Sequence, residues 1–80
     1  MRIAIIAIFV EDKNYIHKVN DLLHLYEKYI VGRMGLPNVE EGLNIITLVV
    51  KASQEEISAL SGKLGSLDGV ISKVTYASKK

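Results

Sequence analysis

The apolar positions divide the chain into six segments that have either strand or helix periodicity. Residues 2–10, RIAIIAIFV, form a continuous β-branched and apolar run, which predicts a buried strand. From Lys13 to about Glu27 the apolar residues recur at helical spacing, and Asp12 precedes them as a suitable N-cap. The apolar stripe of this predicted helix consists of Tyr15, Ile16, Val19, Leu22, Leu23 and Tyr26.

The middle of the chain reads as two strands joined by a turn. Residues 29–36 and 43–51 are both rich in apolar and β-branched residues. The segment between them, PNVEEG, contains turn-forming residues and predicts a short loop. Two glycines lie inside the first of these strands, although glycine weakens a strand; they indicate a bulge, or a place where another backbone or a ligand comes close.

The last third of the chain predicts a helix followed by an edge strand. Ser53 and Glu56 form a capping box that opens the helix. Its apolar face consists of Ile57, Leu60 and Leu64, and Gly65 occupies the position expected of a C′ glycine. After an Asp-Gly turn, residues 70–77 alternate between apolar and polar side chains, which is typical of a strand at the edge of a sheet.

The element order βαββαβ is that of the ferredoxin-like fold. We therefore predict a single α+β domain over residues 1–80, with right-handed crossovers, an antiparallel four-stranded sheet in the order 4-1-3-2, and both helices on one face. The first and third strands are then central.

Both faces of these central strands are apolar, which two helices on one face cannot cover. One set of alternate positions contains Ile3, Ile5, Phe9, Ile45 and Val49. The other set contains Ile6, Ile8, Val10, Ile46, Leu48 and Val50. An apolar sheet face of this size is rarely left in water. We therefore expect the chain to form a homodimer or homotetramer.

Size and composition agree with that expectation and narrow the function. An 80-residue chain without cysteine has neither disulfides nor a thiolate metal site to stabilise a small core, so a partner subunit is the remaining means. A net charge of +1 with scattered basic residues argues against direct binding to nucleic acid. The first apolar run is too short to span a bilayer and lacks a cleavage site, so we expect a cytoplasmic protein that does not bind membranes.

Four segments together resemble a known family. The stretches IAIIAIFVEDK, VGRMGLP, SALSGKLG and DGVISKV are similar to the small ACT-like family of iron-only hydrogenase system regulators, and the resemblance extends over nearly the whole chain. It implies a ferredoxin-like domain related to ACT domains and to the C-terminal domain of nickel-responsive repressors. It also implies an association with iron-only hydrogenase and its maturation proteins.

The resemblance further implies a ligand site at a subunit interface. ACT-like domains bind effectors between the first strand–helix loop of one subunit and a neighbouring strand of another. The corresponding residues here are Glu11, Asp12 and Asn14 in the loop and Gly32, Arg33, Met34 and Gly35 in the strand. The carboxylates of Glu11 and Asp12 disfavour a purely anionic ligand. An amino-acid-like zwitterion or an amine suits a site with both acidic residues and Arg33 better. The alternative is structural: the glycines let two sheets meet and Arg33 pairs with Glu40 or Glu41.

A metal site and an enzyme active site are both weaker hypotheses. His17, Asp21 and His24 lie at i, i+4 and i+7 on one helical face and are weak candidates for metal ligands. The nickel repressors, however, use a cysteine that this chain lacks, so a solvated polar face is the simpler interpretation. No nucleophile motif or phosphate-binding loop is present, so we expect a protein that is not an enzyme. The sequence does not identify a cofactor.

Three functions follow in order of preference. The first is a stand-alone ACT-like regulatory module that senses a small molecule at a subunit interface or tethers hydrogenase-maturation components. The second is a purely structural oligomeric adaptor without a ligand. The third is a metal sensor.

Overall fold

The computed structural model describes residues 1–78 and contains the six predicted elements in the predicted order. They are β1 (Arg2–Val10), α1 (Ile16–Leu25), β2 (Ile30–Glu40), β3 (Leu43–Ala52), α2 (Gln54–Gly65) and β4 (Val70–Tyr76). The strands form one antiparallel sheet in the order β2-β3-β1-β4. This order is the predicted 4-1-3-2 arrangement, which confirms the ferredoxin-like α+β fold. Within residues 1–78, no helix is long and apolar enough to span a membrane.

A single core lies between one face of the sheet and the two helices. Alternate residues of β1 and β3 are almost fully buried in it, together with apolar residues from both helices. The buried set comprises Ala4, Ile6, Ile8, Val10, Val19, Leu23, Ile46, Leu48, Val50, Ala52, Ile57, Leu60, Leu64 and Val70. Because both helices contribute to this one cluster, the prediction that they cover the same face is confirmed.

The start of α2 matches its predicted cap, whereas Asp12 caps a short 3-10 turn ahead of α1, whose own N-cap, Tyr15, makes no side-chain hydrogen bond. The first helix is also shorter than predicted. The Asp12 carboxylate accepts a hydrogen bond from the Asn14 backbone N–H at 3.0 Å, and a short 3-10 turn follows before α1 begins. At Tyr26 the backbone leaves the helical region, so α1 ends at Leu25 and a second 3-10 turn leads into β2. In α2 the capping box is complete, with Ser53 and Glu56 each accepting from the other's backbone N–H at 3.1 Å.

The predicted role of Gly65 is wrong. Gly65 belongs to α2, and the C-cap is Ser66, whose backbone N–H donates to the Gly62 carbonyl. The left-handed glycine in this connection is Gly69, with φ of 73°. The chain therefore reverses at the Asp-Gly turn just before β4 rather than at the last turn of the helix.

The predicted loop at residues 37–42 is also wrong, because β2 continues to Glu40 and pairs there with Leu43. The pairing register shifts between Leu36 and Glu40, so residues 37–39 lie opposite the single residue Asn44. A second register shift at Val31 precedes Gly32, which confirms the bulge that the glycines indicated. The pairing can skip residues at these two places because β2 is an edge strand.

The face of the sheet away from the helices is apolar and open to solvent. Cross-strand partners place three rows of four residues on this bare face: Gly32, Val49, Ile5 and Thr75; Met34, Thr47, Ala7 and Lys73; Leu36, Ile45, Phe9 and Ile71. The exposed fraction is 47% for Ile5, 59% for Met34 and 50% for Leu36. The sequence-based prediction of a second apolar face is therefore confirmed.

Candidate functional site

A broad polar groove lies at the end of the sheet where β1 leaves it. The loop between β1 and α1 forms one wall, and the end of the β2–β3 hairpin forms the other. The groove has a volume of about 900 Å³. Its lining consists of Glu11, Asp12, Lys13, Asn14, Ile16, Asn38, Glu41, Gly42 and Asn44. The three loop residues predicted from the sequence, Glu11, Asp12 and Asn14, are thus all in this groove.

The loop wall is held in place by the turn that precedes β4. The Glu11 backbone N–H donates to the Gly69 carbonyl oxygen at 2.6 Å. A Cβ atom at position 69 would lie 2.7 Å from the Asp12 Cβ, so the turn packs directly against the loop. Only glycine adopts the positive φ at this position without strain and also leaves room for Asp12. The α2–β4 connection therefore fixes the backbone of the loop that carries Glu11 and Asp12.

The hairpin wall is built by asparagine hydrogen bonds. Asn38 adopts a left-handed conformation with φ of 54°, and its backbone N–H donates to the Asn44 side-chain oxygen at 2.8 Å. Its own side-chain oxygen accepts from the Gly42 backbone N–H at 3.3 Å. These residues were not among those predicted for the site. The signal was present in two asparagines and a glycine at the hairpin end, but only the fold brings that end beside the β1–α1 loop.

Negative charge exceeds positive charge along the groove. Glu11, Asp12 and Glu41 contribute three carboxylates, against the single ammonium group of Lys13. Glu11 and Glu41 are exposed, and neither makes an ion pair within residues 1–78. An acidic surface with side-chain amides favours a ligand that brings an ammonium group over one that is purely anionic.

The four predicted strand residues do not share one wall. Arg33 and Gly35 lie opposite Leu48 and Ile46, on the face of the sheet that the helices cover. Gly32 and Met34 lie in the rows of the bare face. This separation follows from strand geometry, because successive side chains point to opposite faces. Within one chain, residues 32–35 are therefore divided between the two faces of the sheet.

Arg33 contacts the first helix rather than a glutamate. Its guanidinium donates to the Asn20 side-chain oxygen at 3.2 Å, so the predicted pairing with Glu40 or Glu41 is wrong. Arg33 and Gly35 line a second concavity of about 230 Å³ beside the groove. Ile16 and Asn44 line both concavities, which makes them neighbours on the same surface.

The histidines of α1 do not assemble a metal site in the structure. His17 Nε2 lies 3.6 Å from the Asp21 carboxylate, and both side chains are largely exposed. His24 Nδ1 instead lies 3.4 Å from the carboxylate of Glu27. Within residues 1–78, no group of three histidine or acidic side chains is arranged to hold a metal ion. The geometry corresponds to a solvated polar face.

One polar contact crosses the covered side of the sheet, away from the groove. The Tyr29 hydroxyl donates to the Glu56 carboxylate, which joins the 3-10 turn before β2 to the first turn of α2. This hydrogen bond raises the pKa of Tyr29 above its ordinary value. The same bond, together with that from the Ser53 backbone N–H, lowers the pKa of Glu56. The contact is a structural link between two elements.

Comparisons with known proteins place this arrangement in one family. The TM1266-like family, described as "Iron-only hydrogenase system regulator, putative", matches residues 2–74. Among solved structures, the uncharacterized protein TM1266 from Thermotoga maritima is 43% identical, with a TM-score of 0.87. The match covers 94% of this chain and 95% of that protein. No curated protein matches this chain. The chain belongs to the TM1266-like family, whose description is that of a regulator in the iron-only hydrogenase system.

Proposed function

We propose that this chain is a non-catalytic regulatory module that binds a small molecule carrying an amine, such as an amino-acid-like zwitterion, in the polar groove. The observation that carries this proposal is the groove itself, with its three carboxylates, its side-chain amides and its two separately braced walls. The family description supports a regulatory rather than an enzymatic role.

The charges of the groove suggest where the ammonium group of such a ligand binds. Glu11 on the loop wall and Glu41 on the hairpin wall are exposed carboxylates without an ion-pair partner in the described part of the chain. An ammonium group between them would form charge-assisted hydrogen bonds, which are stronger than neutral ones. Asp12 is less available, because its carboxylate already caps the loop through Asn14.

The neighbouring concavity suggests a place for a carboxylate at the other end of the ligand. Arg33 presents a forked guanidinium donor there, and its one side-chain partner within residues 1–78 is the neutral amide of Asn20. Asn44 lies between the two concavities, because it lines both of them. A zwitterion that extends past Asn44 would place its ammonium group at Glu11 and Glu41 and its carboxylate at Arg33.

Regulation would operate through assembly and partner binding. We propose that the chain works as a homo-oligomer and that ligand occupancy changes its contact with proteins of the iron-only hydrogenase system, including maturation proteins. The family description supports this context. The same description also suits an adaptor that holds such proteins together without any ligand, which is the second candidate function.

Thermal unfolding with a panel of amino acids and simple amines tests ligand binding. A ligand at a hundredfold excess over its Kd should stabilise the fold by about 2.7 kcal/mol. The double variant Glu11→Gln with Glu41→Gln should lose this stabilisation, and Arg33→Ala should lose it for zwitterions but retain part of it for amines.

Glu55→Gln is the matched control, because Glu55 is an exposed acid at the start of α2, at the opposite end of the sheet. It should keep the full ligand response. If no compound in the panel stabilises the wild-type protein, ligand sensing is contradicted and the adaptor function is favoured. If the response survives the double variant, the groove is not the binding site.

A further inference from the structure

We propose that the bare face packs against the bare face of a second copy of this chain, and that the two-fold axis of this dimer runs parallel to the strands, between β1 and β3. The proposal concerns the opposite face of the sheet from Arg33 and does not depend on the ligand groove. It rests on the extent of the apolar rows and on the position of one charge within them.

The bare face is large enough for a stable homodimer. Four strands spaced about 4.8 Å apart, with three rows that repeat every roughly 6.8 Å along the strands, cover about 390 Å² in projection. The accessible surface of a pleated face with protruding side chains is larger than its projection. It therefore reaches the roughly 500 Å² per partner that a biological interface needs, and apolar patches of this size on small proteins mark contact sites.

The composition of the rows favours another sheet as the occupant. The first and third rows contain Ile5, Val49, Phe9, Ile45, Leu36 and Ile71, with Gly32 and Thr75 at the ends of the first row. Stacked sheets bury such aliphatic rows against each other about 10 Å apart, with strand directions within about 30°. A second copy supplies an identical apolar surface, which is the self-complementarity that a two-fold interface requires.

One charge distinguishes between the possible axes. Among the described residues, Lys73 is the single charged residue in the three rows, and it lies at the β4 edge of the middle row. Met34 lies at the β2 edge of the same row. Lys51 lies on the same face, one row beyond these three, where it pairs with Ile3. Lys73 is exposed, so its ammonium group can extend past the edge into water while its methylene stem remains in the interface.

An axis parallel to the strands places β4 of one copy over β2 of its partner. Lys73 then covers the partner's Met34, and its stem packs on an apolar side chain. An axis across the strands instead places each edge strand over its own counterpart, so that Lys73 faces the partner's Lys73. Two like charges at the edge of a largely apolar interface repel each other, and this cost selects the first arrangement.

Native mass spectrometry and light scattering of three proteins test whether the bare face is the interface. The wild-type chain should have a dimer mass or a multiple of it. Ile5→Glu should reduce the mass to that of a monomer, because it places a carboxylate in the first row. Leu25→Glu is the matched control, since Leu25 is 72% exposed but lies on α1, away from the bare face. It should leave the mass unchanged.

Cysteine cross-linking tests the axis, and the chain is suited to it because it contains no cysteine. Lys73→Cys and Met34→Cys proteins, one of them with a mass tag, are unfolded together, refolded together and treated with a short bis-maleimide. An axis parallel to the strands should give cross-linked mixed dimers. Each variant alone should give little product, because its two cysteines are separated laterally by about three strand spacings, or roughly 14 Å.

Three results would overturn the proposal. A monomeric wild-type protein at the concentrations of the experiment removes the interface altogether. A dimer that persists in Ile5→Glu assigns assembly to another surface. Efficient cross-linking of Met34→Cys alone, which retains Lys73 in both copies, without mixed dimers, shows that the axis runs across the strands.

Discussion

The two faces of the central strands contain the same kinds of residues but have different surroundings. Ile6 is fully buried against the helices, whereas its neighbour Ile5 is 47% exposed on the bare face. In β3, Leu48 is fully buried and Val49 is partly exposed. The difference is set by the helices, which cover one face only. The residue types predict that both faces avoid water. Only the face that the helices cover is buried when a single chain folds.

The two faces therefore contribute to different equilibria, folding of one chain and association between chains. Apolar side chains on the covered face lose their contact with water when a single chain folds. Apolar side chains on the bare face lose their remaining contact with water only if another surface covers them, as in the proposed dimer. Substitutions on the covered face should therefore change the free energy of unfolding, and substitutions on the bare face should mainly change association.

The largest difference should come from paired truncations at adjacent positions of β3. Leu48→Ala removes a fully buried side chain and should lower the free energy of unfolding by about 2–5 kcal/mol. Val49→Ala should cost only about 1 kcal/mol in dilute protein, because its side chain is already partly in water. Urea unfolding at low protein concentration measures both. Equal losses would contradict the comparison.

A smaller effect is expected where the covered face meets the groove. Gly69→Ala combines a positive φ with a Cβ that would lie 2.7 Å from that of Asp12, and should cost about 1–3 kcal/mol. Gly42→Ala is the control, because Gly42 also has a positive φ but has no neighbouring atom within 4 Å of an added Cβ. It should cost about 1 kcal/mol from conformation alone. Thermal unfolding should rank Gly69→Ala below Gly42→Ala, and the reverse order would exclude the packing contact.

The covered side should also give stability a dependence on pH through Tyr29 and Glu56. The lowered pKa of Glu56 gives a contribution that is present above its ordinary value of 4.5 and lost as pH falls through the lowered value. The raised pKa of Tyr29 gives a contribution that is present below 10.0 and lost as pH rises through the raised value. Stability should therefore decline at both ends of a pH series.

The variant Tyr29→Phe should flatten both limbs of that series. It removes the hydrogen bond that chiefly lowers the pKa of Glu56, and it removes the hydroxyl that titrates at high pH. Tyr15→Phe serves as the control, because it removes a hydroxyl from another part of the covered side. Urea unfolding across the pH range is the measurement, and an unchanged pH profile in Tyr29→Phe would refute the link.

The smallest effect should be at Arg33, on the exposed margin of the covered side. Its hydrogen bond to Asn20 joins two exposed side chains. Either Arg33→Ala or Asn20→Ala should change the free energy of unfolding by less than about 0.5 kcal/mol. A larger loss in chemical denaturation would show that Arg33 is a structural residue, and would weaken its proposed role in recognising a ligand.

Periodicity and capping chemistry in the sequence were enough to predict the elements and their order. The βαββαβ order, the Ser53 cap, the apolar stripes and the two apolar sheet faces all depend on residues that are close in sequence. The topology followed because right-handed crossovers leave few arrangements for this order. The predicted ends of elements were less accurate, as Gly65 and the hairpin end show. At the hairpin, turn-forming residues compete with pairing to a strand that lies further along the chain.

The tertiary structure alone decided which apolar face the helices cover, since both faces offer the same types of side chain. It also separated residues 32–35 between the two faces, gave Arg33 the amide of Asn20 as its partner and brought Asn38 and Asn44 opposite Glu11. These features join segments that are distant in sequence, and the register of a bulged edge strand sets them. Local periodicity does not contain that register, because each bulge shifts every later residue of the strand relative to its neighbour.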